Sequence, residues 1–158
     1  MQRWGEPRQT RDVDLALLTG FGDEASFVDH LLEHFRPRRP DARQFALDRR
    51  VLLIETAAGI PLDVSLAALP FEERVVDRSS DFAFAPAVSL RTCSAEDLVV
   101  LKAFADRPQD WLDVEGIVVR QGRTLNRARV LEELIPLLEL KEDDAPKATL
   151  EKLFGKHR

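Results

Sequence analysis

The sequence predicts a mixed α/β (α+β) protein, with a mixed sheet flanked by helices first and a helical C-terminal region after it. Three observations carry that prediction. Residues 12–18 and two segments on either side of Gly59 have the alternation and β-branched content of strands. Val28, Leu31, Leu32 and Phe35 recur at the i, i+3, i+4, i+7 spacing of an amphipathic helix. After Ser94, helix signals follow one another with no strand between them.

Each element has its own warrant. Residues 12–18 begin polar–apolar and become wholly apolar, as a strand entering a core does, with Val13 and Leu15 pointing inward, until Thr19-Gly20-Phe21-Gly22 breaks it. The helix through Val28 and Phe35 is ended by Pro37 and Pro40. Residues 51–57 and 60–67 are apolar segments joined at Ala58-Gly59, which predicts a hairpin of antiparallel strands. Residues 70–76 suit a short helix and residues 87–91 a short strand. Ser94 with a carboxylate at Asp97 is a capping box opening a helix over about residues 95–105. Pro108 suits the first turn of a helix running to Gly122; Asn126 caps another, interrupted by Pro136; Pro146 opens a last one that stops near Gly155.

Composition narrows the function. The 158 residues are 44% apolar and 32% charged, an ordinary globular balance at a length close to roughly 150 residues per domain. A single cysteine, Cys93, excludes disulfide scaffolds and thiolate zinc ribbons, and reads as a buried, inert thiol. No apolar run approaches the roughly 18 residues that span a bilayer, and residues 1–7 lack an export pattern, so a cytoplasmic protein without a membrane partner is expected. The net charge of −5 lies wholly within residues 51–110, with five basic against ten acidic residues. That argues against a general nucleic-acid-binding surface and leaves room for a local acidic site that binds cations.

Three carboxylates are candidates for that site. In a strand, Asp12 and Asp14 project from one face. In the second hairpin strand Ile60, Leu62, Val64 and Leu66 make the apolar face and leave Asp63 on the other, with Ser65. Three carboxylates brought close repel one another, so a fold keeps them together most readily around a divalent cation. Magnesium takes oxygen ligands, and in pairs it clamps the attacking and leaving oxygens of a phosphoryl displacement. An Asp-x-Asp by itself is equally the charged dressing of an edge strand.

The stretch Gly5-Glu6-Pro7-Arg8-Gln9-Thr10-Arg11-Asp12-Val13-Asp14-Leu15 resembles the Gly-x-x-Arg-x-Thr-x-Asp-hydrophobic-Asp-hydrophobic signature of the DNA polymerase β-like nucleotidyltransferase superfamily, particularly its small prokaryotic toxin–antitoxin and abortive-infection branch. Leu62-Asp63-Val64 matches the setting of the third carboxylate in that family. Lys102 and the run from Arg107 through Asp110 and Asp113 to Val114 match a lysine-bearing helix and an Arg-x-x-Asp-x-x-Asp-hydrophobic element. The resemblance covers roughly residues 3–120. One feature departs from it: the family's Gly-Ser or Gly-Gly element at a helix start is not among the eleven residues before Asp12.

The resemblance implies a nucleotidyltransferase-like core over residues 1–92, with a helical subdomain over residues 93–158 packed on it. It implies that Asp12, Asp14 and Asp63 are the catalytic residues and hold two Mg2+ ions and a nucleoside triphosphate. Arg8, Thr10 and Lys102 would contact the nucleotide, with Asp110 and Asp113 in support. The reaction implied is transfer of a nucleoside monophosphate to a hydroxyl on RNA or protein by a toxin–antitoxin component with a cognate antitoxin. The alternative is a catalytically incomplete protein of this fold that binds a nucleotide or a protein.

The residues themselves leave several of these roles open. Lys102, on a stripe with Leu98, Leu101 and Ala105, either packs its stem on the core or pairs with phosphate. Arg8 and Thr10 either contact phosphate or fix a turn. Asp110 and Asp113 share a helical face and either form salt bridges or orient Lys102. His30 and His34, at i and i+4, read as a solvated pair rather than a metal site. Arginines 120, 123, 127 and 129 read as a solvated helix junction rather than a grip on RNA.

Overall fold

The structure, a computed structural model, describes residues 3–5 and 12–157. Mixed α/β content is borne out: among the described residues there are seven α-helices, a four-stranded mixed sheet and a two-stranded sheet. The chain divides into two compact units, one of Gln9–Asp77 and one of Met1–Arg8 with Arg78–Arg158.

The first is the sheet unit. Its elements are β1 (Val13–Leu18), α1 (Glu24–His34), β2 (Arg36–Pro37), α2 (Ala42–Arg49), β3 (Val51–Glu55), β4 (Pro61–Ala67) and α3 (Pro70–Asp77). The strand order is β1-β4-β3-β2, with β1 parallel to β4 and the other neighbours antiparallel. The β3–β4 hairpin forms where Ala58-Gly59 predicts it. Gly59 N–H donates to Thr56 O at 2.9 Å, and Gly59 has φ +76°, the left-handed residue that follows a type I turn in a three-residue loop.

Alternate residues of the hairpin, Leu52, Ile54, Leu62, Val64 and Leu66, are buried against Val28 of α1 and Ala42 and Ala46 of α2. Each such aliphatic side chain contributes about 1.5–3 kcal/mol on burial. Helix α2 escapes the sequence pattern because its fully buried residues are only those two alanines, one turn apart, with Leu47 partly buried beside them. It ends at Arg50, a left-handed residue at φ 56°. The Arg50 guanidinium donates to Leu66 O (2.7 and 2.9 Å) and Gly20 O (3.1 Å) and pairs with Glu24. One side chain thus ties the C-terminal ends of β1 and β4 together.

Val13 and Leu15 correct an expectation. They lie on the apolar face of the sheet, in register with Leu62 and Val64, yet are 44% and 45% exposed. β1 is an edge strand, and the helices cover the centre of the sheet rather than its start. Leu15 and Leu17 instead border an open apolar groove with Leu31, Phe35 and Ile54.

The second is the helical unit: β5 (Ser80–Ala85), β6 (Val88–Thr92), α4 (Ala95–Ala105), α5 (Pro108–Gln121), a 3-10 turn (Gly122–Thr124), α6 (Arg127–Lys141) and α7 (Ala145–Lys156). β5 and β6 form an antiparallel hairpin, so the strand expected near residue 87 has a partner that the sequence did not signal. Ser94 caps α4 by accepting from Asp97 N–H (3.1 Å). The return contact runs from the Ser94 hydroxyl to the Asp97 carboxylate (2.6 Å). Asn126 caps α6 in the expected way.

Two further expectations are corrected in this unit. α6 runs unbroken through Pro136, because Leu134, Leu137 and Leu138 on either side of it are buried in one core. That burial offsets the roughly 3 kcal/mol an interior proline costs. In α4 the buried residues include Val99, Val100 and Ala103, while Leu101 is 39% exposed, so the inward stripe differs from the one through Leu98 and Leu101.

Candidate active site

β1 and β4 run parallel with Asp14 directly beside Asp63, and register partners in a sheet point the same way. Asp12, two residues before Asp14, is exposed and lies just ahead of the first residue of β1. The packing explains the arrangement: Leu62, Val64 and Leu66 must face the core, so the residues between them face away from it. The carboxylates therefore occupy the sheet face opposite α1 and α2. The sequence predicts this juxtaposition, and the backbone has it.

The sequence reading missed what stands on the other side of Asp63. Arg38 N–H donates to Leu53 O at 3.1 Å, continuing the β2–β3 register, and Leu53 is in turn the partner of Asp63. Arg38, Leu53, Asp63 and Asp14 thus form one row across four strands. The Arg38 guanidinium closes an ion pair with the Asp63 carboxylate, both side chains being partly exposed (26% and 31%), and reaches Leu62 O at 3.5 Å. Arg36, two residues earlier in the same extended run and paired with Glu55, shares the face. The face is bipolar, with acids along β1 and β4 and arginines along β2. Its sequence signal was the cluster Arg36-Pro37-Arg38-Arg39, which the general excess of arginine over lysine obscured.

Among the described residues, one group of three metal-type side chains has its ligand atoms already gathered, and it is His30, Glu33 and His34 on α1. Asp12, Asp14 and Asp63 do not form such a group; Asp14 and Asp63 share a face, and the Asp63 carboxylate is engaged by Arg38. Arg8 and Thr10 lie outside the described residues.

Comparison with models of known protein families and with curated proteins finds no match to this chain.

Lys102, Asp110 and Asp113 belong to the helical unit and contact one another. Lys102 Nζ donates to Asp110 Oδ1 (3.0 Å) and Asp113 Oδ2 (2.6 Å), and Arg107 Nε donates to Asp110 Oδ2 (2.5 Å). Both carboxylates are 4% exposed and Lys102 is 15% exposed. Burial pulls the Asp110 pKa upward, but the Arg107 and Lys102 hydrogen bonds outweigh it and hold the carboxyl below its ordinary value. Two charges of each sign close into one network across α4 and α5.

The other candidates have structural partners. Arg120 donates to Gly5 O at 2.5 Å, and Arg127 to Phe154 O (2.7 Å) and His157 O (2.5 Å). Burial, aided by the charge of Asp97, pushes the Cys93 thiol up to about 11, as an inert cysteine requires. Among the described residues no helix is long and apolar enough to cross a membrane.

Proposed function

We propose that the face carrying Asp12, Asp14 and Asp63 is the site of a magnesium-dependent nucleotidyltransferase, a member of the superfamily its N-terminal motif resembles, acting on a hydroxyl of RNA or protein. The observation that supports this reading is the register of β1 against β4, which sets Asp14 beside Asp63 on the face away from the core. The donor set fits the metal, since exposed carboxylate oxygens are hard ligands of the kind magnesium takes together with substrate phosphates. When bound, the ions would neutralise charge on the triphosphate and on the leaving pyrophosphate.

The chain's own residues divide the remaining work. Asp12 and Asp14 would hold the metal. Asp63 accepts the proton of the acceptor hydroxyl as its oxygen bonds to the α-phosphorus, and the bond from that phosphorus to the bridging oxygen breaks to release pyrophosphate. Arg38 neutralises Asp63 in the absence of a ligand. Were Asp63 to serve as a metal ligand, the Arg38 guanidinium released from it would be free to meet the triphosphate, a contact suited to its fork of donors. A cognate antitoxin and cytoplasmic location belong to this same proposal.

One observation favours the alternative of a catalytically incomplete nucleotide- or protein-binding partner: an arginine already supplies Asp63 with its counter-charge. The two readings part in a single assay. The chain is incubated with Mg2+, each α-labelled triphosphate in turn, bulk tRNA and cell protein, with Asp14→Asn as control. Label transferred by wild type and lost in the variant supports the enzyme. Nucleotide binding without transfer supports the alternative, and absence of both sinks the site.

A further inference from the structure

Outside the carboxylate face, the last turn of α1 gathers three side chains with metal-binding atoms. His30 and His34 are one turn apart, with Glu33 beside them, and their ligand atoms all lie within 4.8 Å of one another. The two rings meet edge to face at a centroid distance of 4.8 Å, and His30 Nδ1 stands 3.8 Å from the Glu33 carboxylate. A tetrahedral zinc ion, with bonds of about 2.0–2.2 Å to nitrogen and carboxylate oxygen, sets its ligand atoms roughly 3.4 Å apart. The closure required is therefore about 1–1.5 Å, which rotation of exposed side chains supplies; His30 and Glu33 are each 70% exposed.

Local electrostatics favour a cation at this spot. His34 is the final residue of α1, where the unpaired carbonyls give the helix its negative end. Asp29, one turn earlier, is held in a two-pronged pair by Arg43 at 2.7 and 3.1 Å, so Glu33 is the carboxylate left to serve the histidines. Two imidazole nitrogens and one carboxylate select zinc, nickel or copper over magnesium or calcium, which take oxygen.

We propose that His30, Glu33 and His34 form a binding site for a divalent transition-metal ion of the zinc class, clamping the last turn of α1. The inference is independent of the proposed transferase, since α1 packs through Val28 and Leu31 on the apolar face of the sheet and Asp14 and Asp63 lie on the other. The ion would join residues 30, 33 and 34 across the turn at which the helix otherwise begins to fray, and so hold α1 over the core.

The test is a calorimetric titration of untagged, chelator-free protein with zinc, alongside His30→Ala, His34→Ala and Glu33→Gln. One ion per chain is expected, with micromolar affinity. Either histidine variant should weaken binding at least tenfold and Glu33→Gln several-fold, and a millimolar excess of magnesium should not displace the ion. Zinc should raise the melting temperature of wild type and leave that of His34→Ala where it was. The three side chains are exposed, so the variants fold, and circular dichroism checks that they do. Absence of binding, or equal affinity in wild type and both histidine variants, overturns the proposal.

Discussion

Both units of the protein hold arginine or lysine against aspartate, but the two clusters answer to different physics. In the helical unit Lys102, Arg107, Asp110 and Asp113 form a network with both carboxylates almost wholly buried and each satisfied from within. In the sheet unit Arg38 meets Asp63 on a face where both are partly exposed, and Asp12 and Asp14 are exposed. A buried, closed network resists change, because removing one member strands the others without water. An exposed pair is worth about 1 kcal/mol or less, so a ligand can exchange one partner for another. By this measure the first cluster holds helices together and the second can exchange its partners.

The largest effect expected from this contrast is on stability. Lys102→Met leaves Asp110 and Asp113 buried without their shared cation and should cost about 3 kcal/mol, read as a lower urea midpoint at unchanged slope. If Lys102→Met is as stable as wild type while nucleotide transfer or binding is lost, the comparison fails and Lys102 belongs to the substrate. Asp14→Asn should do the reverse. It should lower transfer by about 100-fold or more and shift stability by no more than about 0.5 kcal/mol. Arg38→Gln should be smaller still. By removing the competitor for Asp63 it should tighten Mn2+ binding several-fold, measured by paramagnetic resonance, and unchanged affinity would show that Arg38 does not compete there.

Acidity gives a further test of the buried cluster. The folded-state pKa of Asp110 lies below its ordinary value of 3.8. Its ion pairs therefore contribute stability that is present above that value and lost as pH falls through the folded-state pKa. The difference in stability between wild type and Asp110→Asn should accordingly be constant near neutrality and narrow below about pH 4.

The contrast also explains what the sequence revealed and what it withheld. That Asp14 and Asp63 face away from the core was legible because both sit in period-two strands, whereas their side-by-side placement required β1 and β4 to be neighbours in this register, which the sequence left conditional. Arg38 was not legible: β2 is two residues long and carries no alternation, so only its pairing with β3 shows where its neighbour points. Helix α2 was hidden for a related reason, two buried alanines giving almost no apolar stripe. The exposure of Val13 and Leu15 follows from β1 lying at the sheet edge, a position that the Asp-x-Asp pattern was compatible with but that only the strand order decides.

The smallest expected signal is the one that reports whether a variant has acted on its own unit alone. Cys93 lies just before α4, and Trp4 Nε1 donates to its carbonyl at 2.8 Å. Its thiol is raised to about 11, first by burial and then by the charge of Asp97. At pH 8 such a thiol is about 0.1% thiolate, against roughly a quarter for a free cysteine of pKa about 8.5, so iodoacetamide should label it at least 100-fold more slowly in the folded protein than in urea. Because burial holds the thiol up, opening of the helical unit would restore its reactivity, and the labelling rate is expected to rise as that unit is destabilised. Lys102→Met should therefore accelerate it, and Asp14→Asn and Arg38→Gln should not. If Asp14→Asn accelerates Cys93 labelling as much as Lys102→Met does, the aspartate is part of the folding framework, and its loss of transfer would no longer speak for a role in the reaction.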